Sequence, residues 1–133
     1  VFNAQESTKD VDAIFEPSKL IRKLVAVIGA RHDLPLDWLN DAAKRFIHGE
    51  FRRTDVLNLP NLRVWAPDAR YMLAMKCISA RWDSHDRDDV IFLIRHLKLK
   101  KPQNVFQILE KYYPKTRIPP KTKFLVQELF EEE

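Results

Sequence analysis

Glycine and cysteine are scarce in this sequence of 133 residues, which contains two glycines and one cysteine. Phosphate-binding loops of the GxGxxG and GxxxxGK[ST] types need several glycines close together, so both are excluded. The single cysteine, Cys77, cannot form an internal disulfide, and the same count excludes zinc motifs built on several cysteines. No apolar run approaches the roughly 20 residues of a membrane-spanning helix. No secretory leader opens the chain, so we expect a cytoplasmic protein without a membrane partner.

Positive charge is concentrated in the last third of the chain. Lys plus Arg number 23 and Asp plus Glu number 19, which gives a net charge of +4. Nine of the ten charged residues from Arg95 to Lys123 are positive. Aromatic residues lie among them, namely Phe106, Tyr112, Tyr113 and Phe124. Such a mixture is typical of single-stranded nucleic-acid binding, and it is equally the pattern of solvated helix faces over core aromatics.

Strand patterns occupy the first half of the chain and helix patterns the second. We predict strands at residues 7–15, 51–57 and 62–66, from alternating side chains. We predict helices from Ser18 to Gly29, then at 36–47 and 69–81, then from Asp86, from Pro102 and at 123–130, from apolar residues at helical spacing. The fold class is therefore α+β, with a small mixed β-sheet followed by a C-terminal helical bundle. The α/β part covers 1–67, and the helical part at 68–133 packs on it as one compact unit.

Two carboxylates stand at alternate positions of the first predicted strand. Asp10 and Asp12 project from the same face of a strand, because strand side chains alternate. Carboxylate oxygens are the ligands that Mg²⁺ prefers, so the pair is a candidate site for one or two divalent ions. The alternative is a polar strand face that meets only water.

A second group of charged residues surrounds the next helix boundary. Lys76 interrupts an apolar helix, Arg81 closes that helix, and Asp86 and Asp89 lie one turn apart at the start of the following helix. A lysine on a mostly apolar helix can neutralise a nucleotide phosphate. The alternative is structural, since Asp near a helix N-terminus is favoured and Arg81 can pair with Asp89.

These motifs together resemble the nucleotidyltransferase superfamily, in the small bacterial branch related to abortive-infection toxins. The segment Ser-Thr-Lys-Asp-Val-Asp-Ala-Ile-Phe at 7–15 is similar to its metal-binding strand. The following segments are similar in the same order: Asp-Trp-Leu-Asn-Asp at 37–41, Tyr-Met-Leu-Ala-Met-Lys at 71–76, Arg81 with Asp86 and Asp89, and Tyr-Tyr-Pro at 112–114. The resemblance extends over nearly the whole chain.

The resemblance implies a function and assigns roles to particular residues. It implies Mg²⁺-dependent transfer of a nucleotidyl group from a nucleoside triphosphate to a hydroxyl on RNA, protein or a small molecule. Asp10 and Asp12 would be the catalytic metal ligands. Thr8, Lys76 and Arg81 would bind phosphate, and Asp86 and Asp89 would support the site. An antitoxin would be the expected protein partner.

Two family features are not found, and they leave the enzymatic assignment open. The glycine turn that precedes the metal-binding strand is not present before Ser7, and the strand predicted at 62–66 carries no acid to serve as a third carboxylate. The alternative function is a non-catalytic interaction module, or a dimerising fragment of toxin–antitoxin type. Without a helix to cover the first strand, we expect a homodimer in which each subunit covers the exposed edge of the other.

Overall fold

The structure is a computed structural model that describes residues 11–79 and 84–132, with Ser84 and His85 described by their backbone alone. These residues contain five α-helices, four β-strands and two short 3-10 helices. The strands are β1 (Val11–Asp12), β2 (Leu39–Asn40), β3 (Arg53–Leu59) and β4 (Leu62–Pro67). The α-helices are α1 (Ser18–His32), α2 (Ala69–Ser79), α3 (Ser84–His96), α4 (Pro102–Tyr112) and α5 (Pro120–Glu131), and the 3-10 helices are Ala42–Phe46 and Lys115–Arg117. The predicted mixed α+β class is confirmed.

The chain divides into two compact units, and the first comprises the described residues 11–47. Strands β1 and β2 pair in parallel, with Val11 opposite Leu39 and Asp12 opposite Asn40. Helix α1 connects them, as a parallel pair requires a crossover. The helix predicted at 36–47 is wrong, because part of this segment is β2 and part is a 3-10 helix. The apolar spacing is helical, but backbone pairing with β1 decides the conformation.

Both ends of α1 differ from the prediction. Ser18 lies inside the helix, and the cap position is Pro17, which makes no side-chain capping bond. The helix does not end at Gly29 but continues to His32, and it is closed by Asp33 in the left-handed conformation (φ 53°). A Cβ on Gly29 would lie 3.2 Å from two ring atoms of Trp38. Gly29 therefore serves close packing within the helix rather than its termination.

The second unit comprises the described residues 48–132 and begins with a β-hairpin. Strands β3 and β4 pair antiparallel across the turn at Pro60 and Asn61, with an irregularity between Asp55 and Leu57. The two predicted strands are confirmed. They do not join β1 and β2, since the described strands form two separate two-stranded sheets rather than one mixed sheet. The functional division at 67/68 stays a prediction.

Four helices complete the second unit and begin close to the predicted positions. Asp68 accepts a hydrogen bond at 2.9 Å from the Tyr71 amide and so caps α2. Pro102 opens α4 as predicted. Helix α5 begins three residues before the predicted start, because Pro120 is accommodated at its first position. None of the described helices combines the length and the apolar character that crossing a membrane requires.

The core of the second unit is made by these helices. Helix α2 packs against α3, α4 and α5, and it contributes four buried side chains, those of Tyr71, Leu73, Ala74 and Cys77. Among the described residues, the largest fully buried side chains are Tyr71, Leu73, Cys77, Val90, Val105, Leu109, Tyr113, Thr122 and Val126. The predicted C-terminal helical bundle is therefore present, and α2 is the element around which it is built.

Candidate functional site

The first candidate site lies at the carboxyl end of β1. The Val11 amide donates to the Trp38 carbonyl at 2.6 Å, and the Ala13 amide donates to the Asn40 carbonyl at 2.9 Å. These bonds fix Asp12 as the last residue of β1, beside Asn40 at the end of β2. The Asp12 side chain is exposed. In parallel sheets, ligands bind outside the carboxyl ends of the strands, and Asp12 occupies such a position.

Contacts within the first unit hold this strand pair in place. The Trp38 indole donates a hydrogen bond at 2.9 Å to the Val25 carbonyl of α1. Arg22 of α1 pairs with Asp41 at 2.7 Å, immediately after β2. The side-chain amide of Asn40 bonds to neighbouring backbone groups: its nitrogen donates to the Asp37 carbonyl, and its oxygen accepts from the Ala42 amide. Asn40 is therefore a structural residue, and Asp12 is the ligand-accessible group at this edge.

The donor chemistry of this edge suits magnesium. Mg²⁺ is commonly held by one or two carboxylates together with substrate phosphates and water, so it does not need a full cage of protein ligands. Across 11–79 and 84–132, no group of three His, Cys, Asp or Glu side chains is arranged to hold a metal. Asp12 supplies one exposed carboxylate. Asp10 and Thr8 lie outside the described residues, so the prediction that both aspartates share one strand face stays a prediction.

The second candidate group lies between α2 and α3. The Lys76 ammonium pairs with the Asp89 carboxylate at 3.0 Å, and the side chains are 30% and 16% exposed. Asp86 lies in the first turn of α3, as predicted, where the helix dipole favours a carboxylate. Arg81 lies outside the described residues, so its predicted pairing with Asp89 stays untested. Asp89 has Lys76 as a partner, a pairing that the sequence analysis did not consider.

The two candidate groups belong to different units of the chain. Asp12 is part of the first unit, and Lys76, Asp86 and Asp89 are part of the second.

Aromatic side chains form a cluster around Tyr71 that residue spacing in the sequence did not predict. Its hydroxyl accepts a hydrogen bond from the His48 amide at 2.9 Å and donates to the His48 carbonyl at 3.2 Å. The rings of Phe51 and Tyr71 stack with centroids 4.0 Å apart. Burial, together with a hydrogen bond to Tyr71, raises the pKa of Tyr113 above its ordinary value. The side chain of Arg117 lies 2.8 Å from His48 Nδ1.

This cluster has a structural role, because it ties the start of the second unit to its core. Tyr71 is fully buried, and its hydroxyl satisfies two backbone groups that precede the hairpin. In the sequence these aromatic residues are widely separated, so their spacing alone does not predict that their side chains form a cluster. Cys77 is an inert core thiol, since it is completely buried and burial raises its pKa to about 12.

Comparison with known proteins gives no relative for this chain. No protein-family model matches it. No curated protein matches it. No solved structure matches its fold.

Proposed function

We propose that the chain is a nucleotidyltransferase-like protein that binds a magnesium nucleoside triphosphate at the carboxyl end of β1. One observation carries the proposal: Asp12 is an exposed carboxylate that ends a strand of a parallel β–α–β unit. The Asp-Val-Asp spacing adds Asp10 as the second ligand. Magnesium bound there would supply charge neutralisation of the triphosphate. We place this function in the cytoplasm, the compartment that supplies nucleoside triphosphates.

The proposal also assigns roles to residues that would bind phosphate or support the site. Thr8 and Arg81 are phosphate contacts by the resemblance alone. Lys76 is a phosphate contact by the resemblance as well, and within its own unit its ammonium carries three N–H donors and pairs with Asp89. An ammonium that remains partly exposed beside its carboxylate partner keeps donors for a phosphate oxygen. Asp89 then fixes the position of Lys76, and Asp86 supports the start of α3.

Calorimetric titration tests the nucleotide proposal directly. The ligand is Mg²⁺ with a non-hydrolysable adenosine or guanosine triphosphate analogue, and the proteins are the unmodified chain, Asp12→Asn and Asp10→Asn. We expect each substitution to weaken binding at least tenfold, because each removes a charged oxygen ligand of the metal. The matched control is Asp33→Asn, which removes an exposed carboxylate at a left-handed position that asparagine also tolerates. Equal affinity of Asp12→Asn and the unmodified chain would refute the metal site.

Nucleotidyl transfer itself needs a separate measurement. Incubation with α-³²P-labelled nucleoside triphosphates and Mg²⁺, with RNA or protein offered as acceptor, would reveal a labelled product. We expect the label to be absent with Asp10→Asn and Asp12→Asn. Nucleotide binding without transfer would support a binding module instead of an enzyme.

A second function is favoured by the hairpin of the second unit. Leu57 is opposite Val64 and Leu59 is opposite Leu62, so these four apolar side chains share one face. They are 39–49% exposed. The other face carries Asn58 opposite Arg63, and it also carries Trp65, whose ring centroid lies 4.1 Å from the Arg53 guanidinium. A two-stranded hairpin is marginal alone and gains stability from a surface that covers its apolar face.

We propose a non-catalytic interaction role for this hairpin, with a second copy of the chain or an antitoxin as its partner. Size-exclusion chromatography with light scattering tests the homodimer. A homodimer gives about twice the mass of 15.8 kDa. The substitutions Leu59→Thr and Val64→Thr keep strand propensity and remove apolar surface, so they should give a monomer. Asn58→Thr on the other face is the control. A monomeric unmodified chain would exclude the homodimer and leave a different protein as the partner.

A further inference from the structure

A groove in the second unit lies beside the junction of the last 3-10 helix and α5. Its volume is about 450 Å³, which is within the range of ligand sites. Seven residues line it: Lys115, Ile118, Pro119, Pro120, Lys123, Phe124 and Gln127. The 3-10 helix provides one wall and the first two turns of α5 provide the other. The consecutive prolines fix the backbone between these walls, because both have a restricted φ.

The charge of this groove is positive and uncompensated. Lys115 and Lys123 line it, and none of its seven lining residues is acidic. Neither lysine takes part in an ion pair with any other described residue. Both are exposed. An anionic ligand can therefore bind both ammonium groups without displacing a carboxylate of the protein.

An aromatic ring adds a second type of contact. Phe124 is 68% exposed, although phenylalanine is usually buried in a folded protein. It follows Lys123 in sequence and lines the same groove. Of the other aromatic residues in this basic segment, Tyr113 is buried and Phe106 and Tyr112 are half-buried. The basic segment thus divides into core aromatics and one ring that is available to a ligand.

We propose that this groove binds single-stranded nucleic acid. Lys115 and Lys123 contact backbone phosphates, and Phe124 stacks on a base. Gln127, one turn after Lys123, offers a donor and an acceptor for a base edge. An acidic peptide would satisfy the lysines but would leave the exposed ring without a matching group, so it explains less of the groove. This proposal does not depend on the nucleotidyltransferase proposal.

Fluorescence anisotropy with labelled twelve-nucleotide dT and U oligonucleotides, measured between 50 and 200 mM NaCl, tests the lysines. The slope of log affinity against log salt is negative, and loss of one phosphate contact to a single strand reduces its magnitude by about 0.7. The double variant Lys115→Gln, Lys123→Gln should therefore reduce this magnitude by about 1.4. Lys100→Gln is the matched control, since Lys100 is exposed and lies outside the groove. An equal effect of the control would overturn the proposal.

The aromatic contact has its own signature in the same assay. Phe124→Leu keeps an apolar side chain at an exposed helical position, so the fold should be retained. We expect affinity to fall about fivefold or more at every salt concentration, because one base-stacking platform is lost. The salt slope should not change. Unchanged affinity of this variant, no binding of either oligonucleotide, or equal competition by a poly-glutamate peptide would each overturn the proposal.

Discussion

We expect the hydroxyl of Tyr71 to make the largest contribution to the free energy of unfolding of all the side-chain hydroxyls in the aromatic cluster. Tyr71→Phe keeps the ring stacked on Phe51 and removes only this oxygen. The His48 amide then loses its acceptor at 2.9 Å and the His48 carbonyl loses its donor at 3.2 Å. The side chain of Tyr113 also loses a partner. The apolar contacts are unchanged, so the effect isolates hydrogen bonding.

The magnitude follows from the burial of this hydroxyl. A satisfied hydrogen bond contributes about 0.5–1.5 kcal/mol, and leaving a buried donor without an acceptor costs about 1–3 kcal/mol. Tyr71 is fully buried and His48 is half-buried, so water replaces the lost partners only in part. We expect the free energy of unfolding to fall by about 2–3 kcal/mol. Equilibrium urea unfolding, followed by far-UV circular dichroism, measures this change.

Tyr112 provides the matched control for this experiment. Its ring meets Tyr71 edge-on with centroids 5.1 Å apart, and it is half-buried. The Tyr112 hydroxyl makes no hydrogen bond with another described residue. Tyr112→Phe should therefore change the free energy of unfolding by less than about 0.5 kcal/mol. A loss of similar size in both variants, or no loss in Tyr71→Phe, would refute the assigned role of the Tyr71 hydroxyl.

Four further substitutions and one labelling experiment test other contacts. Cys77 should not react with a thiol reagent at pH 8 in the folded protein, because burial raises its pKa to about 12 and the thiolate is the reactive form; rapid labelling without urea would contradict this burial. Below pH 9.0, which is the pKa of the thiol in the unfolded chain, Cys77 is protonated in both the folded and the unfolded state. As the pH rises from 9.0 toward about 12, the unfolded chain loses this proton first, so the free energy of unfolding falls. Asp68→Ala should lower the free energy of unfolding by about 1 kcal/mol through loss of the α2 cap, whereas Asp68→Asn should retain most of it; equal losses in urea unfolding would show that capping is not the cause. In a double-mutant cycle, Lys76→Met and Asp89→Asn should show a coupling energy of about 1 kcal/mol, between the values for exposed and buried pairs; additive effects would mean that the pair contributes nothing to stability.

Local signals in the sequence were sufficient to predict the hairpin strands of the second unit and the starts of α2 and α4. Pro102 and Asp68 act within a turn of their own position, so the starts of α4 and α2 are readable from the chain. The two hairpin strands are also confirmed, because alternation and a central proline fix them without distant contacts. The sequence alone does not show which aromatic side chains contact one another. The contact of Tyr71 with His48 depends on how α2 packs beneath the start of the hairpin.

The first unit was predicted less well, because its conformation depends on long-range pairing. Leu39 and Asn40 form a strand since β1 lies beside them, not because their own spacing favours one. Gly29 was interpreted as a helix end, but its role is to admit the ring of Trp38 from beyond the helix. For the candidate sites, the sequence identified Asp12 and Lys76 by residue type. The pairing of Lys76 with Asp89 required the packing of α2 on α3.

The brevity of the β1–β2 pair makes the edge beside Asp12 sensitive to what binds there. Each strand has two residues, and the Val11 and Ala13 amides donate the hydrogen bonds that join them across a fifteen-residue helix. A pairing held by so few bonds opens locally at low cost. A ligand that binds only the closed form lowers the open population by mass action. The rate at which these two amides exchange with solvent deuterium therefore reports whether the edge is occupied, even when no chemistry takes place.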